Sequence, residues 1–156
     1  MSRILGLDHG TRRIGVAVAD GETAMAFERP ALLVRSGGAE AVGRVLDLAR
    51  REGVELAVLG LPRNMDGSEG AQARSVRAFG SALVDGGLRV EYHDERLSSW
   101  EAARRMADAG GAPSRRSGEL DSAAARLILQ EYLDARAPRR AAPERDPGPR
   151  NDQEIG

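Results

Sequence analysis

Two short apolar runs, Ile4–Leu7 and Ile14–Val18, flank a polar turn that contains Gly10 and Thr11. The pattern predicts a β-hairpin at the head of the chain, around which the rest is organised. Asp8 stands where the first strand of that hairpin ends. A carboxylate at the end of a buried strand is costly unless it binds a metal or accepts hydrogen bonds. Asp8 is therefore a functional candidate, with an ordinary turn-capping role as the plain alternative.

Downstream, Ala24 to Val34 reads as a third strand with Phe27, Leu32, Leu33 and Val34 as its apolar members, and Pro30 suits an edge or a bend. After the break at Ser36-Gly37-Gly38, Val42, Val45, Leu46 and Ala49 recur at helical spacing over Ala39 to Glu52, and Gly53 ends that helix. Val54 to Leu61 is a short apolar run, read as a buried parallel strand. A loop with clear breakers runs from Gly60 to Ser68. Ser68-Glu69 is expected to open a helix reaching about Val84, with Ala71, Val76, Phe79 and Leu83 facing inward. Leu88 to Tyr92 alternates as a strand and runs into His93-Asp94-Glu95-Arg96. A helix from Trp100 to about Ala109 and a loop from Gly110 to Gly118 are expected next. The last helix is expected over Glu119 to Ala135, with Leu120, Ala123, Ala124, Leu127, Ile128 and Leu133 inside. Residues 138–156, rich in Pro, Arg and acids, predict a disordered tail behind a single domain at 1–137.

The order β-β-β-α-β-α-β-α-α predicts an α/β fold. Three leading strands form an antiparallel meander, and two later strands return through helices and so pair in parallel.

With no cysteine in 156 residues, disulfides and thiolate metal sites are excluded and an intracellular protein is expected. No apolar run reaches the length of a membrane span and the N-terminus lacks a signal-peptide pattern, so a soluble, cytoplasmic chain without a membrane partner is expected. The net charge of −1 supplies no global basic field. All 23 basic residues are Arg, which a GC-rich coding bias explains more simply than selection for bidentate phosphate contacts. Scarce aromatics argue against an aromatic platform for stacked bases.

Three acidic positions stand out. Asp8 ends the first strand, Asp94 and Glu95 end the last, and Asp121 lies in the first turn of the final helix beside its apolar face. Ligands in open α/β sheets bind outside the carboxyl ends of parallel strands, and a helix across the sheet can bring Asp121 there. Converging carboxylates repel one another unless a divalent cation neutralises them, and oxygen-only ligands suit Mg²⁺ or Mn²⁺. Taken singly, each acid has an ordinary reading: a helix N-terminal acid for Asp121, a solvated loop pair for Asp94 and Glu95. Arg12, Arg13, Arg63, Arg96, Arg115 and Arg116 lie near the same positions in sequence and could hold a phosphate backbone, or serve only as surface charge. A His-based metal site and serine hydrolysis have little support.

The segments Leu7 to Ala17, Leu59 to Ser68, Asp94 to Ser99 and Leu120 to Ala124 resemble the YqgF/RuvX family, whose members carry the names pre-16S rRNA nuclease and Holliday junction resolvase. The resemblance covers roughly residues 3 to 135 in order. It implies an RNase H-like fold, a mixed five-stranded sheet with helices on its faces. It also implies metal-dependent phosphodiester hydrolysis in the cytoplasm, in 5′-end maturation of pre-16S rRNA. Carried over by motif, Asp8 is the first-strand acid, Glu95 the acid of the Asp-Glu-Arg motif, and Asp121 the helix acid. Strand alternation sends Asp94 and Glu95 to opposite faces, so one of them is expected as a ligand. The fourth strand, which carries an acid in many RNase H-like nucleases, here ends in Gly60-Leu61-Pro62, which leaves Glu95 as the best second ligand. The loop before the helix acid, often lysine-rich in relatives, is Arg115-Arg116-Ser117-Gly118 here.

The leading expectation is a nuclease acting on pre-16S rRNA, with the ribosomal small-subunit particle as a further partner and a monomer or weak homodimer as the working unit. A resolvase cutting four-way DNA would need two sites, hence a dimer. A non-catalytic rRNA-binding assembly factor would keep RNA affinity without Asp8. Asp-x-Gly-Thr also resembles the phosphate loop of the actin, hexokinase and sugar-kinase group, but the chain has length for one such domain and no second copy of the motif.

Overall fold

Among the described residues, five strands and three helices follow one another as β1 (Arg3–His9), β2 (Arg13–Asp20), β3 (Met25–Leu33), α1 (Gly38–Glu52), β4 (Val54–Leu61), α2 (Ala71–Asp85), β5 (Arg89–Asp94) and α3 (Ser117–Arg136). The computed structural model describes residues 3–10, 12–20, 22–34, 38–95 and 117–136, with the side chains of the last stretch from Asp121's neighbour Ser122 onward. The expected helix at Trp100 to Ala109, Arg96, Arg115, Arg116 and the tail lie outside the described residues.

The strands form one sheet in the order β3-β2-β1-β4-β5. β1 pairs antiparallel with β2, β2 antiparallel with β3, and β1–β4 and β4–β5 are parallel. The meander with two parallel returns is therefore the observed topology. Residue alternation divides the sheet into two faces. Leu5, Leu7, Ile14, Val16, Val18, Leu59 and Leu61 pack with α1 and α2. Ala17, Ala19, Leu56 and Val58 pack with Ala125, Ile128, Leu129, Tyr132 and Leu133 of α3.

α1 buries Ala41, Val45 and Ala49, with Val42 and Leu46 packed at its margin. α2 starts at Ala71 rather than at Ser68-Glu69, and Ala71 is exposed while Ala73 takes the inward place. The reason is local competition. Asp66 accepts hydrogen bonds from the Ser68 backbone N–H (2.9 Å) and hydroxyl (2.6 Å), which holds Ser68 in a side-chain turn and away from a capping role. Glu69 is engaged by Arg77, and Gly70, extended and without a side chain, precedes the first turn.

β3 is an edge strand, as Pro30 suggests, and two of its apolar members, Phe27 and Leu33, are 54% and 46% exposed. The β2–β3 ladder slips between Ile14 and Val16. At the slip the Val16 N–H donates to Ser122 Oγ (3.3 Å), and the Ser122 hydroxyl donates to the Arg29 carbonyl (2.7 Å). A buried serine of α3 thus satisfies two backbone groups that the irregular ladder leaves over. The same helix clamps the β2–β3 turn, because Gln130 accepts from the Ala26 N–H (2.9 Å) and donates to the Ala24 carbonyl (3.1 Å). α3 begins two residues before the expected start, so Ser117 and Gly118 are helical rather than loop. Its inner stripe is rotated: Ala125 and Leu129 are fully buried, whereas Ala123 and Leu127 are half-buried. Among the described residues no helix is long and apolar enough to cross a membrane.

Candidate active site

The three parallel strands β1, β4 and β5 end at one edge of the sheet, where Asp8 and Glu95 are found. Leu7 pairs with Leu59, and Gly60 pairs with His93. One step further along that register, Asp8 stands beside Gly60. On its other side Asp8 pairs with Gly15 of β2. The carboxylate of β1 is therefore flanked on both neighbouring strands by glycines, a notch in the side-chain row of the sheet itself.

Asp8 shares the α3 face with Gly6, whose missing Cβ would meet Leu129 Cβ at 2.7 Å and the Ala125 carbonyl at 2.9 Å. Glu95 reaches the same face. Its carboxylate lies over Gly60, where a Cβ would collide with Glu95 Oε2 and come within 2.6 Å of Ile128 Cδ1. A carboxylate from just beyond β5 thus folds over the glycine near the end of β4. Asp94 pairs with Leu61, which packs on the α1/α2 side, so alternation separates the two adjacent acids as expected. β5 is longer than expected: His93 and Asp94 belong to the strand and Glu95 follows it.

Asp121 lies in the first turns of α3, four residues before Ala125 and seven before Ile128, on the stripe that runs over Gly6 and Gly60 toward the strand ends. Its backbone is placed at the same end of the sheet as Asp8. Among the described residues no group of three or more His, Asp or Glu side chains could hold a metal ion, and the Asp121 side chain is outside that set.

Hydrogen bonds fix β5 against α3 beside the acids. His93 Nε2 lies 3.1 Å from Glu131 Oε1, and the Tyr132 hydroxyl donates to Glu91 Oε1 at 2.6 Å. Burial, with help from Glu91, pushes the Tyr132 phenol up to about 12. On the other face, burial holds the His9 imidazole below its ordinary value.

Of the arginines, Arg12 is exposed and Arg13 half-buried in the β1–β2 turn, where their carbonyls accept from the Val34 N–H (2.8 Å) and the Gly10 N–H (3.0 Å). Arg63 begins the loop after β4 and lies 3.5 Å from Glu69. Its buried Nε meets no hydrogen-bond acceptor among the described residues. Glu69 also holds Arg77 through two bonds of 2.7 and 2.8 Å, and that hydrogen bonding keeps the Glu69 carboxyl below its usual range. Gly15, Gly60 and Ser122 were not singled out from sequence. Glycine signals a break rather than a space, while Ser122 stood inside a matching motif without an assigned role.

A family model described as "RuvX: Holliday junction resolvase" matches residues 2–135. A protein of Anaeromyxobacter dehalogenans (strain 2CP-C) named "Putative pre-16S rRNA nuclease" is 45% identical over 137 residues, covering 87% of this chain and 99% of its own. One with the same name from Pelotomaculum thermopropionicum is 41% identical over 150 residues, covering 94% and 96%. Among solved structures, RuvC of T. thermophilus in complex with a Holliday junction substrate superposes with a TM-score of 0.54 at 18% identity, over 87% of this chain and 96% of that one. Thermus thermophilus RuvC in a second structure gives 0.50 at 21% identity, over 86% and 95%. The likeness shows the fold, an RNase H-like mixed sheet with helices. With a family model matched along residues 2–135 and relatives above 40% identity across nearly their full length, the chain belongs to the RuvX family.

Proposed function

We propose that this chain is a metal-dependent endonuclease that hydrolyses phosphodiester bonds of pre-16S rRNA at its 5′ end, in the cytoplasm and in company with the small ribosomal subunit. Family membership and the names of its relatives support the nuclease. The observation that carries it is the glycine-flanked notch, where Asp8 and the Glu95 carboxylate converge on one face.

Asp8, Glu95 and Asp121 are the proposed holders of one or two Mg²⁺ or Mn²⁺ ions. The fit is chemical: the donors are hard carboxylate oxygens, and Asp8 pairs with Gly15, a position that has no side chain of its own. Divalent ions bound there supply an activated water and neutralise charge at the leaving oxygen. The rest belongs to the chain itself. Ser122 seats the start of α3 on β2 and β3, which fixes the residue beside it, Asp121. Arg12, Arg13 and Arg63, at the same sheet edge, are the proposed phosphate contacts, together with Arg96, Arg115 and Arg116. The family description favours a four-way DNA junction as the second substrate to test.

The test is cleavage of a single-stranded RNA carrying a 16S precursor 5′ leader, beside a four-way DNA junction, with Mn²⁺, with EDTA, and with Asp8→Ala. RNA cleavage that needs metal and falls about a hundredfold or more in Asp8→Ala is expected. Symmetric cutting of the junction alone would move the assignment to a resolvase. RNA binding without cleavage, equal in wild type and Asp8→Ala, would leave an assembly factor.

A further inference from the structure

Consecutive residues at the end of β1 project to opposite faces: Asp8 toward α3, His9 toward α1 and α2. The His9 ring lies 4.5 Å from that of Phe79, tilted by 35°. Together they form one side of an open cleft of about 670 Å³, closed by Ala39 and Val42 of α1 and by Ala78 and Ala82 of α2. Both helices begin at the sheet edge where Asp8 stands, because α1 follows the end of β3 and α2 the end of β4. The cleft and the acids are therefore on two sides of one thin rim, one residue apart in the chain.

The size is that of a small-molecule pocket. Its described lining is mostly apolar, with the His9 imidazole and the Ser75 hydroxyl as its polar side chains. It offers apolar walls and an aromatic pair, which suits a flat, uncharged heterocycle whose sugar and phosphate remain outside. A chain so poor in aromatics cannot build a stacking platform, but one pocket needs only the ring pair already present.

We propose that this cleft is a base-binding subsite: it takes one unpaired nucleobase from the strand whose phosphate lies at Asp8 and Glu95. The inference rests on the nuclease reading. It adds that the substrate crosses the sheet edge, phosphate on the α3 side and a neighbouring base on the α1/α2 side. A base held in a duplex must leave its stack to enter, so single-stranded or unwound substrates are favoured.

The experiment uses the full chain and single-stranded RNAs of the precursor sequence carrying 2-aminopurine, or an abasic nucleotide, at successive positions about the cut. Fluorescence is read in EDTA and cleavage in Mn²⁺, for wild type, His9→Ala, Ala78→Phe, Ala39→Leu and Asp8→Ala. Ala78 and Ala39 are exposed helix positions, so the two larger side chains fill the cleft without entering the core. The expected result is quenching at one position, lost in His9→Ala and Ala78→Phe. KM on intact RNA rises about tenfold in these two variants with kcat kept. An abasic nucleotide at that position should raise the wild-type KM equally and make Ala78→Phe neutral. Cleavage with unchanged KM in both filling variants would overturn the subsite, as would free 2-aminopurine riboside binding as tightly as the RNA. Quenching is read on Asp8→Ala too, so the base site is judged even if no cleavage is found; quenching at one position without cleavage supports the subsite and removes the nuclease.

Discussion

On the face covered by α1 and α2, the central strands present Leu5, Leu7, Val16, Val18, Leu59 and Leu61. On the face covered by α3 the same strands present Gly6, Asp8, Gly15, Ala17, Ala19 and Gly60, with Leu56 and Val58 of β4 as larger buried members. Bulk on the first face fills the space under two helices and supplies most of the apolar burial, which drives folding. Small residues on the second let one helix approach so closely that a methyl at Gly6 would press on the backbone of Ala125. Each face thus does what the other cannot. The large residues stabilise, and the small ones admit the close approach of α3 and the Glu95 carboxylate to the sheet.

The contrast can be broken by substitution. Leu83→Ala empties a fully buried site of α2 and is expected to lower stability by about 2–5 kcal/mol, read by urea unfolding, with kcat of the folded fraction unchanged. A fall in kcat as large as the fall in stability would show that the two faces are not separate. Gly60→Ala on the opposite face should do the reverse. It pushes against the Glu95 carboxylate and Ile128, so cleavage is expected to fall by up to about a hundredfold at a stability cost of about 1–3 kcal/mol. Unchanged cleavage in Gly60→Ala would remove Glu95 from the proposed ligands.

Smaller effects sharpen the same picture. Ser122→Ala leaves the Val16 N–H and Arg29 carbonyl buried without their partner and should cost about 1–3 kcal/mol. Ser122→Thr should keep part of that stability. The least effect is alkaline. The folded Tyr132 phenol sits near 12, above its unfolded value of about 10, so its contribution is complete below pH 10 and is lost as pH rises through 12. Tyr132→Phe is expected to flatten the fall in melting temperature between those limits.

Much of this was readable in the sequence because it depends on local pattern. β4 is bounded at Val54 and Leu61 as the apolar run predicts, and the assignment of Asp94 and Glu95 to opposite faces follows from alternation alone. The start of α2 was misread because two side chains, Asp66 and Ser68, compete for the same backbone groups and sequence does not say which wins. The inward stripe of α3 was misread by one position because alanines give little contrast between faces. At the site, charge is visible in sequence but space is not. Asp8 and Glu95 are candidates by charge and motif, whereas the glycine positions beside Asp8 appear only once the strands are in register.

The bonds that seat α3 link residues far apart in the chain: Ser122 to Val16 spans 106 positions, Ser122 to Arg29 spans 93, and Gln130 to Ala26 spans 104. Contacts of such length form late, since loop closure must precede any gain, and a ribosome delivers them last. Pulse-labelled hydrogen exchange should find α1 and α2 protected before α3. Asp121 precedes Ser122 in the chain, so the proposed set of acids is complete only once these long-range bonds have closed.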